Sequence, residues 1–389
     1  MQHRALALFA ATALTVSLTA CTSEGGGTTD GGLDGEGTGA DCTIGSPVPV
    51  GAALSLTGAA ASYGESQRQG LELAAEQLNA AGGVEYELTV EDDQTDPRQG
   101  IAVFEQLTAD DGASVIIGPT LSTGAFQAQP IAQEEGVPVL AISNTVDGIT
   151  AQGDYIFRDS LPESQVIPQT VAAARAEYGL EKVVVMYAND DALSEAGGEV
   201  FGDALEAEGI EVADTLTFSV ADTDFRALLT EAKAADPDAL AVSGLIEAAI
   251  PLVTQARELG LDVPIIGGNG FNNPRLMADA GDAAEGVVVG AAWNSASDNP
   301  ENTAFLADFE EMHGAQPDQF AAQSYTGLML VDAAVRASCS GERDAIKEGL
   351  ANIQGVPTVL GELTINDERD AEHEAVVQVV DGGKFTVLD

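Results

Sequence analysis

Between Val48 and Ser243, short apolar runs alternate with longer stretches of helical period, and the alternation comes in two successive series. No other feature limits the fold as much. A chain that repeats strand, helix, strand, helix returns each strand to the same edge through a helical crossover, which makes neighbouring strands parallel. A parallel sheet is covered by those helices on both faces. In the first series, Val48–Leu54, 87–92, Val115–Ile117 and 139–142 read as strands. Residues 66–80 read as a helix with Leu71, Ala74, Ala75 and Leu78 on one face, and 97–110 as a helix begun by Asp96-Pro97. Ile156-Phe157-Arg158 reads as a short crossing segment. In the second series, helices at 164–177, 195–208, 224–234 and 247–259 alternate with strands at 183–187, 212–218, Ala239–Ser243 and 264–266, followed by a strand at 287–289. Helices at 302–313, 319–337 and 343–352 follow. Strands at 362–365, 375–380 and 385–388 end the chain, the last two joined as a hairpin by Asp381-Gly382-Gly383.

Two such series predict an α/β protein of two doubly wound parallel-sheet lobes with a ligand cleft between them. Residues 43–160 with 293–365 would form lobe 1, and 161–292 with 366–389 lobe 2. Ligands of open parallel sheets bind at the carboxyl ends of the strands, so the loops there matter most. Four early ones are rich in small polar residues: "SLTGAAASYGES" (55–66), "DDQTDP" (92–97), "GPTLSTG" (118–124) and "ISNTVDG" (142–148). The third and fourth follow successive strands and place Ser122, at a helix start, beside Ser143, Asn144 and Thr145. A helix N-terminus offers unpaired amides and about half a positive charge, which suits a carboxylate. A plain N-cap needs one hydroxyl; it does not call for two adjacent hydroxyl-rich loops. Asp92, Asp93 and Asp96 lack the alternating spacing of a calcium loop and read as a capped strand end, so no metal is expected.

Charge excludes some partners. The chain carries 63 acids against 15 bases, a net −48, which repels nucleic acid and anionic lipid surfaces. The acids are spread along the sequence, as on a heavily hydrated surface suited to salty surroundings.

The N-terminus reads as a targeting segment. His3-Arg4 precede the apolar run Ala5 to Leu18, which is shorter than the ~20 residues a membrane span needs. The following Leu18-Thr19-Ala20-Cys21 resembles the bacterial lipobox. That resemblance implies removal of a signal peptide, residues 1–20, and lipidation of Cys21. Glycine-rich residues 22–41 read as a tether, making 21–42 a flexible lipid-anchored segment with the folded body starting near Cys42. Export favours a disulfide between the two remaining cysteines, Cys42 and Cys339; two free thiols are the alternative.

The order of the whole resembles the type I periplasmic solute-binding fold, in particular the branched-chain amino-acid-binding proteins of ABC importers. The likeness rests on "SLTGAAASYGESQRQGLELAAEQLNAAGG", "EDDQTDP", "VIIGPTLSTGAFQAQPIAQEEGVPVLAISNT", "FRDSLPESQ" and "AGDAAEGVVVG". It implies that Ser122, Thr123, Thr145 and groups near Ser143 and Asn144 grip a carboxylate and a neighbouring amino group, and that Tyr63 packs on the ligand side chain. Arg158 would form a salt bridge at the first interlobe crossing. Leu193 and the Leu245-Ile246 pair stand where the family often places aromatics. Asn269 stands where it places the carboxylate that meets an ammonium. Asp190, Asp191 or Glu247 would then supply the countercharge, or else the ligand is an amide, a urea-like compound or an organic acid. The family's usual disulfide partners fall on Thr95 and Leu121.

Catalysis is not expected. Of three histidines, His3 lies in the signal, and His313 and His373 lie far from the polar loops. The chain has no Gly-x-Ser-x-Gly elbow, no His-Glu-x-x-His and no phosphate loop, and "GGNGFNN" lacks the third glycine of a dinucleotide fingerprint. The expectation is a monomeric, lipid-anchored receptor without cofactor. It would deliver a small solute to ABC permease subunits from the outer face of the membrane. A ligand-sensing receptor subunit and, more distantly, a hydrolase on the same fold are the alternatives.

Overall fold

The first series folds into β1 (Val48–Leu54), α1 (Ala61–Ala81), β2 (Tyr86–Asp92), α2 (Pro97–Glu105), β3 (Val115–Ile117), α3 (Ser122–Glu134), β4 (Val139–Ala141) and β5 (Ile156–Arg158). The structure is a computed structural model and describes residues 32–388; the signal segment and Cys21 lie outside the described residues. All five strands join one parallel sheet in the order β2-β1-β3-β4-β5. The segment Ile156–Arg158, expected only to cross between lobes, is therefore also an edge strand, paired to β4 before the chain leaves.

The second series supplies α4 (Glu163–Tyr178), β6 (Lys182–Ala188), α5 (Ala192–Ala207), β7 (Glu211–Phe218), α6 (Arg226–Ala234), β8 (Ala239–Ser243), α7 (Ile246–Glu258), β9 (Ile265–Gly267), α8 (Arg275–Ala280) and β10 (Val287–Ala291). The chain then returns to the first lobe as α9 (Pro300–His313), α10 (Gln319–Ser338) and α11 (Arg343–Ala351). It ends with β11 (Val356–Thr358), β12 (Gly361–Ile365), β13 (Ala371–Glu372), β14 (Val376–Asp381) and β15 (Lys384–Val387). The second sheet runs β15-β14-β10-β9-β8-β6-β7, with β14 and β15 antiparallel, so the terminal hairpin extends lobe 2. The short sheet β11-β12-β13 keeps the chain on the first lobe's side to Glu372, past the boundary expected at 365, because β13 pairs with β12.

Each lobe has its own core. Leu71, Ala74 and Leu78 of α1 join Val50, Ala52 and Leu54 of β1 and Leu328, Val331 and Val335 of α10 in one buried cluster. Val184, Met186, Leu240, Val242, Leu252 and Val289 anchor the other. Tyr63 and Phe320, from lobe 1 elements, belong to the second cluster, so apolar packing is continuous across the cleft.

Three local readings differ from the sequence expectation. First, α1 begins at Ala61, not 66. Gly64 falls in the expected loop, but a Cβ there would lie 2.0 Å from Ser55 O, so glycine is what lets the helix start against the end of β1. Second, α4 begins at Glu163 rather than 164, a one-residue change that puts a carboxylate in its first turn. Third, the expected tether is docked before Cys42. Leu33 packs on the first core, Asp34 bridges to Ser340, and Glu36 pairs with Thr43. Cys42 and Cys339 are joined by a disulfide, with Cα atoms 5.4 Å apart, and this holds the docked segment to the end of α10.

Candidate functional site: an interlobe pocket

Strand order reverses between β1 and β3 in the first sheet and between β6 and β8 in the second. Such switch points open a crevice at the strands' carboxyl ends, and here the two crevices face each other. Tyr63, Thr120, Leu121 and Ser143 from lobe 1 meet Leu193, Leu245, Asn269 and Gly270 from lobe 2, with Phe320 of α10, around one small pocket. Tyr63, Ser143, Leu193, Leu245 and Asn269 were singled out in the sequence and meet here; Thr145 and Asn269 share a second pocket beside it.

Tyr63 does more than offer a ring. Its hydroxyl donates to Gly270 O at 2.7 Å and accepts from Ile246 N at 2.6 Å, so a lobe 1 side chain is bonded to two lobe 2 loops. Its ring lies 4.7 Å from that of Phe320. Burial pushes the phenol above its ordinary pKa, which keeps it protonated and able to donate. Ile246 enters through its backbone amide and does not line the pocket. Leu193 and Leu245 form the apolar wall.

Ser122 is the first residue of α3; the N-cap is Leu121, and no side chain caps the helix. Ser122 Oγ is buried and has no partner in the protein, and the same is true of Thr145 Oγ1. Ser143 and Asn144 are tied down. Ser143 Oγ donates to Thr120 O and accepts from Gln67 Nε2, while Asn144 Nδ2 donates to Pro119 O. They staple the loop after β4 to the loop after β3. Thr123 Oγ1 donates to Asp191 Oδ1 at 2.9 Å and accepts from Ala192 N, a second contact across the cleft.

Two expectations outside the pocket are met locally. Arg158 Nε lies 2.8 Å from Asp370 Oδ1, and Nη1 donates to Asn144 O and Val146 O, so it is a buried clamp at the crossing. In "EDDQTDP", Asp92 accepts from Leu56 N and Thr57 Oγ1, Asp93 from Ser55 Oγ, and Asp96 caps α2. Among the described residues, no cluster of acids, histidines or cysteines is arranged to hold a metal.

The candidate countercharges are already engaged. Asp190 accepts from Ser219 Oγ and Val220 N; Asp191 also caps α5 through Ser194; Glu247 pairs with Arg275. Asn269 Oδ1 accepts from Gln319 Nε2. Sequence reasoning missed Glu163. Its backbone N–H donates to Thr145 O, and its Oε1 accepts from Asn269 N, each at 2.9 Å. Its Oε2 is buried without a partner. Burial pushes this carboxyl up to about 8 despite the Asn269 amide, and Asp191 and Asp147 add to the push. Glu163, Thr145, Gln323, Gly268 and Asn269 line the second pocket together. One signal was available: Gln319 and Gln323 sit one turn apart on α10, a helix otherwise largely apolar on its buried side.

Comparison with known proteins agrees with this geometry. The family model described as periplasmic binding protein matches residues 47–384. The leucine-, isoleucine-, valine-, threonine- and alanine-binding protein of Pseudomonas aeruginosa is 27% identical, over 82% of this chain and 85% of that one. Among solved structures, the branched-chain amino acid transporter substrate-binding protein LivJ of Streptococcus pneumoniae, in complex with isoleucine, is 27% identical. It superposes with a TM-score of 0.83, over 87% of this chain and 98% of that chain. An ABC-transporter solute-binding protein of R. palustris in complex with benzoate is 26% identical, with a TM-score of 0.81, over 88% of this chain and 96% of that chain. These relatives are binding proteins, not enzymes.

Proposed function

Because the chain belongs to the periplasmic binding protein family, we propose that it captures a small carboxylate-bearing solute between its lobes and delivers it to an ABC importer. One observation carries the reading: Ser122 Oγ, at an uncapped helix N-terminus, and Thr145 Oγ1, in the neighbouring loop, are both buried and unpartnered. A buried hydroxyl without a partner costs about 1–3 kcal/mol, so such a pair is kept where something else binds it. A carboxylate accepts from both hydroxyls and from the free amides of the first turn of α3. The apolar wall of Leu193, Leu245 and Phe320 then receives the rest of the solute.

In this reading the protein is a monomer held to the outer face of the membrane through lipidated Cys21. Solute contacts with both lobes favour the shut form, and only such differential contacts can drive closure. The test is Ser122→Ala combined with Thr145→Val, read by titration calorimetry against L-leucine, L-isoleucine, L-valine and benzoate. The tightest solute should weaken by about 100-fold or more, since two hydrogen bonds to a charged group, at about 1.5–3 kcal/mol each, are removed. An unchanged affinity refutes the site. A second reading keeps the same cleft but makes the solute an aromatic or simple organic acid. It is favoured by the uncharged Asn269 and by the benzoate complex of the R. palustris relative.

A further inference from the structure

We propose that Asn294, Gln378, Asn272 and Gln319 are positioning residues: a head-to-tail chain of buried amides that runs from the β10–α9 crossing between the lobes to the pocket and obliges Asn269 to offer its amide nitrogen to a captured solute. The meeting with a solute rests on the interlobe capture reading; the chain of amides stands without it.

The links are short and all run one way. Asn294 Nδ2 donates to Gln378 Oε1 at 2.7 Å, and Gln378 Nε2 to Asn272 Oδ1 at 2.7 Å. Asn272 Nδ2 donates to Gln319 Oε1 at 2.6 Å, and Gln319 Nε2 to Asn269 Oδ1 at 2.8 Å. Asn294 lies between β10 and α9, Gln378 on β14, Asn272 and Asn269 between β9 and α8, and Gln319 at the first residue of α10. The first four amides are no more than 4% exposed, so none of them can trade its neighbour for bulk water.

The oxygen and nitrogen of a side-chain amide have nearly the same shape, so their partners must tell them apart. Two backbone N–H groups, which can only donate, do so here. Ala296 N donates to Asn294 Oδ1 at 2.8 Å, and Ala292 N to Gln319 Oε1 at 2.7 Å. With its oxygen held by Ala296, Asn294 turns its nitrogen to Gln378, which answers with oxygen and passes its own nitrogen on. Carried link by link, this puts an oxygen of Gln319 opposite Asn272, the same atom that Ala292 fixes independently. Both lone pairs of Gln319 Oε1 are then taken, and Nε2 is left to face Asn269, which must answer with oxygen. Turning over any one amide would set oxygen against oxygen and nitrogen against nitrogen at its links, so the five hold or fail together.

Asn269 lines both pockets of the cleft and Gln319 lines neither, so the branch turned away from Gln319 is the one the pockets meet. That branch is Nδ2, and no residue among those described accepts from it. The backbone beneath it is held as well: Asn269 N donates to Glu163 Oε1 at 2.9 Å, and Asn269 O accepts from Asn272 N at 3.0 Å. The solute atom that meets Asn269 is therefore a hydrogen-bond acceptor.

The test has two arms. The first needs no solute: hydrogen exchange of the side-chain amides, read by NMR on the full nitrogen-labelled chain, with each signal assigned by its loss in the matching Asn→Asp or Gln→Glu variant. The amides of Asn294, Gln378, Asn272 and Gln319 should exchange more slowly than that of Asn269 by about tenfold or more. An Asn269 amide as protected as the other four overturns the inference. The second arm is titration calorimetry with L-leucine and benzoate. Asn269→Asp keeps an oxygen for Gln319 and turns the free donor into an acceptor. The tighter of the two solutes should weaken by about tenfold or more, as for one lost hydrogen bond to a charged group. Tighter binding by Asn269→Asp overturns the inference. Gln378→Met, at a residue that lines neither pocket, should weaken the same solute in the unsubstituted protein and leave it unchanged in an Asn269→Ala background. An equal loss in both backgrounds makes the chain merely structural and overturns its positioning role. Melting curves establish that each variant is folded. If neither solute binds, capture of such solutes fails, and the exchange pattern alone upholds or overturns the chain.

Discussion

Tyr63 joins the two lobes through its hydroxyl. Its ring was legible from resemblance as a contact for the solute, but its hydroxyl is bonded to Gly270 O and Ile246 N of the opposite lobe. Phenylalanine at this position would leave Gly270 O and Ile246 N without that partner between the lobes. Tyr63→Phe should therefore weaken solute affinity by about tenfold, at about 1–3 kcal/mol for unmade buried hydrogen bonds, mainly through a faster off-rate. Stopped-flow dissociation measures it, and an unaltered off-rate would remove Tyr63 from the closing mechanism. Glu163 was not legible in the same way. An acid after a proline at a helix start is ordinary N-terminal chemistry, favourable to the helix dipole wherever it occurs. Only the approach of the Asn269 loop and of α10 turns it into a buried carboxylate.

At the scale of elements, strand and helix identity followed from period, while their ends followed from contact. α1 starts five residues before the point where its apolar spacing becomes regular, because Gly64 fits under Ser55 O. The docked segment 33–44 is the larger departure. Its glycines and acids read as solvent-facing, yet Gly35 N donates to Cys339 O and Ile44 N to Gly83 O, backbone bonds that composition does not reveal. The Cys42–Cys339 bond closes a loop with a sequence separation of 297 residues. Replacing both cysteines with serine should cost about 2–5 kcal/mol, chiefly by enlarging the unfolded ensemble. Guanidinium unfolding with and without reductant checks this; identical midpoints would mean that the thiols are free in the purified protein.

The whole molecule is two parallel-sheet lobes under a strongly negative surface. With a net charge of −48, self-repulsion opposes the compact state, and screening relieves it. Raising sodium chloride from about 0.1 to 1 M shortens the Debye length from about 10 to 3 Å, so the melting temperature should rise by several degrees. A flat or falling melting curve would show that the exposed ion pairs, such as Arg175–Glu208 and Arg226–Glu258, outweigh the repulsion. The strand–helix alternation alone determined two parallel sheets, and with them the edge at which a ligand sits, because period and crossover are local properties of the chain. The sequence also placed Ser122 at a helix start. Tertiary structure decided the rest: which hydroxyls stay unpartnered, that the Tyr63 hydroxyl bonds across the lobes, and that Glu163 and Gln323 line one pocket. Those residues lie far apart in sequence, and whether a polar atom finds a partner depends on every segment packed around it.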